Sequence, residues 1–88
     1  MDFPLKDITD KKSITPEDVE KIVDTYAPEI RRDPARARFC GTRKMWFYSP
    51  EAMEELGNIF TVMQGAAQGI PGATAALAEL RERVLAVN

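Results

Sequence analysis

Six prolines divide this 88-residue chain, and their positions leave it few ways to fold. Proline lacks a backbone N–H and its ring collides with the carbonyl four residues back, so it opens helices or ends them. Thr15-Pro16-Glu17-Asp18 reads as an opening. The threonine hydroxyl caps orphan amides, the proline already has helical φ, and the acids face the positive end of the helix dipole. Val19, Ile22, Val23 and Tyr26 then recur at i, i+3, i+4 and i+7, the apolar face of a helix. Pro28 would strike the carbonyl of Asp24, which predicts a stop or bend near Tyr26. Between Pro28 and Pro34 there is room only for a short helical segment, which contains Arg31 and Arg32. Ser49-Pro50-Glu51 repeats the opening, and Met53, Leu56, Ile59, Phe60 and Met63 form a second apolar stripe, with Gly65 expected at the C-cap. A small-residue connector follows, in which Gly69-Ile70-Pro71-Gly72 reads as a turn. A last helix is predicted from Ala73 to Val87, with Ala73, Leu77, Leu80, Val84 and Val87 spaced as a helix-packing seam.

Between Pro34 and Ser49 the period changes. Arg36, Arg38 and Cys40 alternate with Ala37 and Phe39, and beyond Gly41-Thr42 the residues Lys44, Trp46 and Tyr48 alternate with Met45 and Phe47. Alternation on both sides of a Gly-containing turn predicts a β-hairpin. Ala37, Phe39, Met45 and Phe47 are expected to face the core, and Arg36, Arg38, Lys44 and Trp46 to face out. The predicted fold is therefore mainly α with one β-hairpin. It has an N-terminal arm over 1–13, a body over 14–65, and a connector and C-terminal helix over 66–88. Leu77, Leu80, Val84 and Val87 are the candidate dimer interface. In the arm, Phe3, Leu5 and Ile8 are able to pin the chain to the core, and a disordered arm is the equal alternative.

Charge is distributed unevenly over this frame. Residues 31–48 hold six cations, Arg31, Arg32, Arg36, Arg38, Arg43 and Lys44, against the single acid Asp33, although the chain as a whole nets −2. That balance excludes a protein that coats nucleic acid with its whole surface, so any nucleic-acid contact is local to this segment. A domain of this size buries only about 60–65 % of its unfolded surface, so dimerisation or a partner would add to its stability. The single Cys40 cannot form an intrachain disulfide, which fits a reducing compartment. The start, Met-Asp-Phe-Pro-Leu-Lys-Asp, has no basic stretch leading into an apolar run, so no secretion signal is expected and a cytoplasmic location is. No segment approaches the roughly 18 continuous apolar residues of a membrane span.

The chain contains no histidine, the commonest general base and metal ligand. Its carboxylates do not cluster at metal-ligand spacing, and Gly69-Ile70-Pro71-Gly72 lacks the ending of a phosphate-binding loop. No catalytic residue, metal or cofactor is expected. The basic segment itself supports three uses. Arg31, Arg32, Arg36, Arg38, Arg43 and Lys44 can neutralise phosphates, with Trp46 stacking on a base or under an arginine. The same surface suits an acidic protein, because Trp, Tyr and Arg dominate interface hot spots. Alternatively, the arginines pair internally with Glu51, Glu54, Glu55 and the acids of the first long helix.

Three segments, in order, resemble the winged helix-turn-helix domain of the MerR and excisionase type. Ile14-Thr15-Pro16-Glu17-Asp18-Val19 resembles its opening T-P-E-E-V-A. Ala27-Pro28-Glu29-Ile30-Arg31-Arg32 resembles the start of its recognition helix, S-P-E-T-L-R-R. Trp46-Phe47-Tyr48-Ser49-Pro50-Glu51-Ala52-Met53-Glu54-Glu55-Leu56 resembles the end of its wing and the next helix, R-x-Y-S-P-E-D-L-x-x-L. The resemblance spans residues 14–60 or so. It implies a DNA-binding regulator or recombination directionality factor, with Arg31 and Arg32 on the recognition helix and Arg36, Arg38, Arg43 and Lys44 on the wing. Here Pro28 and Pro34 leave only a short recognition segment, which reaches few base edges. The first expectation is thus a small DNA-binding accessory protein. The alternative is a protein-binding module, such as a phage-encoded inhibitor or a small subunit of a larger complex.

Overall fold

Reciprocal capping sets the first long helix. The Thr15 hydroxyl accepts the Asp18 N–H at 3.2 Å, and the Asp18 carboxylate accepts the Thr15 N–H at 3.0 Å. The computed structural model describes residues 5–87, with side chains through Ala86. A single turn, α1 (Lys6–Thr9), precedes the capped helix α2 (Pro16–Tyr26). Of the two alternatives for the arm, Leu5 and Ile8 take the first: Leu5 packs against the core and Ile8 is buried in it; Phe3 lies outside the described residues. Lys11 completes the capped corner with a 2.8 Å bond to the Asp18 carboxylate.

The predicted face of α2 is the observed one, with Val19, Ile22, Val23 and Tyr26 all buried. Pro28 opens a five-residue 3₁₀ turn, Pro28–Arg32, which buries Ile30. Two strands follow, β1 (Ala37–Cys40) and β2 (Met45–Tyr48), then α3 (Pro50–Ala67) and α4 (Pro71–Val87). The fold is mainly helical with one antiparallel hairpin. Its centre is formed by Ile22, Val23, Tyr26, Ile30, Leu56 and Met63.

Several expectations about α3 and α4 need correction. The Ser49 hydroxyl caps α3 by accepting the Ala52 N–H, but the buried face is Ala52, Leu56, Ile59 and Met63, so Met53 lies outside the stripe. Gly65 does not end the helix. A Cβ placed there would come 2.7 Å from the Ala73 Cβ, so α4 crosses close to α3 at Gly65. The end comes at Gly69, whose φ of 80° is the left-handed conformation that glycine adopts freely. The Gly69 N–H donates to the Ala66 carbonyl and the Ile70 N–H to the Gly65 carbonyl, each at 3.0 Å, the Schellman arrangement. The connector is thus shorter than expected, and α4 begins at Pro71 rather than Ala73.

The hairpin faces are also corrected. The register pairs Ala37 with Tyr48, Arg38 with Phe47, Phe39 with Trp46 and Cys40 with Met45. Directly opposed residues share a face. Ala37, Phe39, Trp46 and Tyr48 therefore lie together, and Arg38, Cys40, Met45 and Phe47 lie on the other side. The cause is the loop. Gly41, Thr42, Arg43 and Lys44 all lie outside the strands, and Lys44 takes the left-handed conformation with φ 54°. An even number of loop residues pairs odd positions with even ones, which turns Trp46 inward and leaves Met45 and Phe47 outward.

Candidate functional site

The six cations of residues 31–48 divide into two groups. Arg31, on the 3₁₀ turn, is turned back into the molecule. Its guanidinium bonds to Glu20 at 2.7 Å and to Asp24, and it stands 5.6 Å from the centre of the Trp46 ring. Glu20 and Asp24 are one turn apart on α2, so they form a single acidic clamp. Tyr48 closes the cluster from β2, with its hydroxyl 2.8 Å from both Glu20 oxygens. Burial acts against the Arg31 charge, but the neighbouring Tyr48, Asp24 and Glu20 outweigh that and hold the guanidinium firmly protonated. Burial, reinforced by the Glu20 carboxylate, pushes the Tyr48 phenol up to about 12, so it remains a hydrogen-bond donor. Arg36, just before β1, bonds to Asp33 and to Glu55 of α3, each at 3.1 Å. Arg31 and Arg36 are thus internal anchors that seat the hairpin on α2 and α3. Trp46, expected to face out, is half-buried and packed against the core.

The second group is exposed. Arg32, Arg38, Arg43 and Lys44 make no ion pair within 4.0 Å among the described residues. Large apolar side chains near them in the chain also reach solvent: Phe39 is 55 % exposed, Met45 38 % and Phe47 45 %, and Met53 at the start of α3 is 44 % exposed. Phe39 meets Trp46 edge to face, with ring centres 5.5 Å apart. Phe47 and Met53 border one groove of about 380 Å³, whose other walls include Ile14, Pro16, Val19 and Trp46. The arrangement is a cationic ribbon with an apolar floor beside it. It can neutralise acids and at the same time cover apolar side chains, the combination found at interface hot spots.

The candidate dimer residues divide in the same way. Leu77 is only 5 % exposed and belongs to the core of its own chain, which removes it from any dimer surface. Leu80 is half-buried against that core, Val84 is half-buried, and the Val87 side chain lies outside the described residues. Internal pairing with Glu55 and with the acids of the first long helix, one of the expected uses, is what Arg36 and Arg31 do; Glu20 and Asp24 were not named individually, and Tyr48 was not foreseen as part of the cluster. The signal was present: two carboxylates four residues apart beside a run of arginines, of which Arg31 takes both.

Among the described residues no group of His, Cys, Asp and Glu side chains could hold a metal ion. No helix of the described chain is long and apolar enough to cross a membrane. Comparison with family models, curated proteins and solved structures finds no match to this chain.

Proposed function

We propose that the chain is a non-enzymatic docking module whose hairpin binds an acidic protein partner. The observation that carries this reading is the juxtaposition, on one short ribbon, of exposed Arg38, Arg43 and Lys44 with exposed Met45 and Phe47 on the same side and exposed Phe39 at the other face. A surface that only neutralised phosphate would gain nothing from exposing large apolar side chains. A protein interface gains from both, because an apolar centre inside a polar rim is its usual anatomy. The single Cys40, free and half-buried, fits a module working in the cytoplasm.

The test is anisotropy titration of an acidic, leucine-containing peptide and of a DNA duplex. Peptide affinity should fall about tenfold on Phe47→Ala and again on Arg38→Ala. Binding indifferent to Phe47→Ala, or absent, would overturn the reading.

One observation favours a second reading, contact with DNA as a regulator or recombination accessory protein of winged helix-turn-helix type. Among the described residues the four exposed cations have no carboxylate within 4.0 Å, and cations of that kind bind phosphate backbone without reading sequence. On this reading Arg32, Arg38, Arg43 and Lys44 hold the duplex. Arg31 takes no part, since it is committed to Glu20 and Asp24. Duplex affinity would then fall steeply with salt, and Arg38→Ala with Arg43→Ala would lower the salt slope by about two.

A further inference from the structure

We infer that the partner docks as an extended acidic segment that adds a strand to the outer edge of β1. This rests on the docking reading above and specifies the form of the partner. The Ser49 N–H donates to the Arg36 carbonyl at 2.8 Å, and this pair continues the register of the hairpin. Antiparallel pairs alternate between hydrogen-bonded and non-hydrogen-bonded. Arg38 with Phe47 and Cys40 with Met45 are therefore bonded pairs, whereas Ala37 with Tyr48 and Phe39 with Trp46 are not. Residues of non-bonded pairs turn their backbone groups away from the neighbouring strand. On β1 the Ala37 N–H is already satisfied by the Asp33 carbonyl at 3.0 Å. The Ala37 carbonyl and both backbone groups of Phe39 remain in a row on the outer edge. An edge of that kind is a template for a further strand.

Charge selects the occupant. Arg38 lies on the strand and Arg43 and Lys44 at its turn, all exposed and without a carboxylate within 4.0 Å among the described residues. A second copy pairing β1 with β1 would bring two such sets together along one short ribbon, and like charges on neighbouring strands repel. An acidic strand meets them favourably, and the exposed Phe39 ring offers a cross-strand contact to an apolar residue. The outer edge of β2 is less suited. There Trp46 borders a groove lined by Glu17, by Glu20 already paired with Arg31, and by Lys44, so its charge is mixed where that of β1 and the turn is cationic.

The probe is a capped peptide alternating Glu and Val, titrated into the full chain and compared with the same peptide N-methylated at alternate residues. N-methylation removes edge donors and leaves charge and side chains intact. The unmodified peptide should bind, slow hydrogen exchange at the Phe39 amide, and lose at least about tenfold in affinity when methylated. Phe39→Pro removes the outward N–H without touching a β1–β2 bond, and should weaken binding more than Phe39→Ala does. Equal binding of methylated and unmethylated peptides, or equal binding of a helix-forming acidic peptide, would overturn strand addition while the docking reading stood. Binding of no acidic peptide would overturn both.

Discussion

Replacing Arg31 by alanine distinguishes an internal anchor from a ligand contact. If Arg31 lay on a free recognition surface, Arg31→Ala would leave stability within about 0.5 kcal/mol and cost only binding. The structure dictates the reverse. The Arg31 side chain is 23 % exposed and its Glu20 partner 33 %, so this charge-assisted pair is partly screened and contributes about 1–2 kcal/mol. Asp24 is 61 % exposed, and its share is at most about 0.5 kcal/mol. The guanidinium over Trp46 adds about 0.5–1 kcal/mol. The expected loss is therefore about 2–3 kcal/mol, at roughly 4–8 °C in Tm for each kcal/mol in a domain of this size. Urea unfolding followed by Trp46 fluorescence measures it directly, since Trp46 is the only tryptophan and touches the mutated side chain. Pairing Arg31→Ala with Glu20→Gln should show the two losses to be less than additive by about 1 kcal/mol. Stability unchanged by Arg31→Ala, or fully additive losses, would refute the assignment of Arg31 to the interior and return it to the candidate ligand surface.

Three further outcomes follow from the packing. The Asp18 carboxyl is held down to about 2 by its bond to Lys11, with the Thr15 N–H assisting, so its stabilising share is fully present above the ordinary carboxylate range. That share should be lost as pH falls from about 4 towards 2, and Asp18→Asn should flatten the acid limb of the stability–pH profile. Gly65→Ala should gain up to about 1 kcal/mol in helix propensity but lose about 1–3 kcal/mol by forcing α3 and α4 apart, a net fall in Tm. Leu85, 74 % exposed on α4, is the clean probe of self-association, because the apolar face around Leu77 is already used inside the chain. Leu85→Glu should leave the mass by light scattering unchanged, and a halved mass would reinstate α4 as a dimer seam.

Elements whose cause is local were legible in the sequence. Thr15, Ser49 and the prolines after them fix both helix starts, and the α2 stripe was read correctly because capping and periodicity act over a few neighbouring residues. Gly65 was misread because a glycine that lets two helices approach looks in sequence like one that ends a helix; only the position of Ala73 tells them apart. Met53 was misread because Ala52, small enough to lie under the neighbouring elements, displaced it from the buried face. Of the candidate site, the cationic segment was legible as composition. Its division into anchors and exposed groups was not, since that depends on Glu20 and Asp24 of α2 and Glu55 of α3, brought together only by the fold.

The hairpin loop is the step that links these corrections to function. Had the loop an odd number of residues, Phe39 would share a face with Met45, Phe47 would turn inward, and Trp46 would stand beside Arg38 in solvent. With four residues outside the strands, Trp46 is drawn under Arg31 and Tyr48 reaches Glu20, so β2 is secured to α2 by one face. The opposite face carries no ion pair among the described residues, and Arg38 and Phe47 are opposed on it. Any ligand-binding role of residues 31–48 is therefore concentrated in the strands and their turn, with Arg32 as the only exposed arginine of the 3₁₀ segment. Lengthening the loop by one residue would exchange the two faces of β2 and cost both the Arg31–Trp46 anchor and the exposed ribbon. Such an insertion should lower Tm and abolish peptide binding together, whereas substitutions confined to Arg43 or Phe47 should affect binding alone.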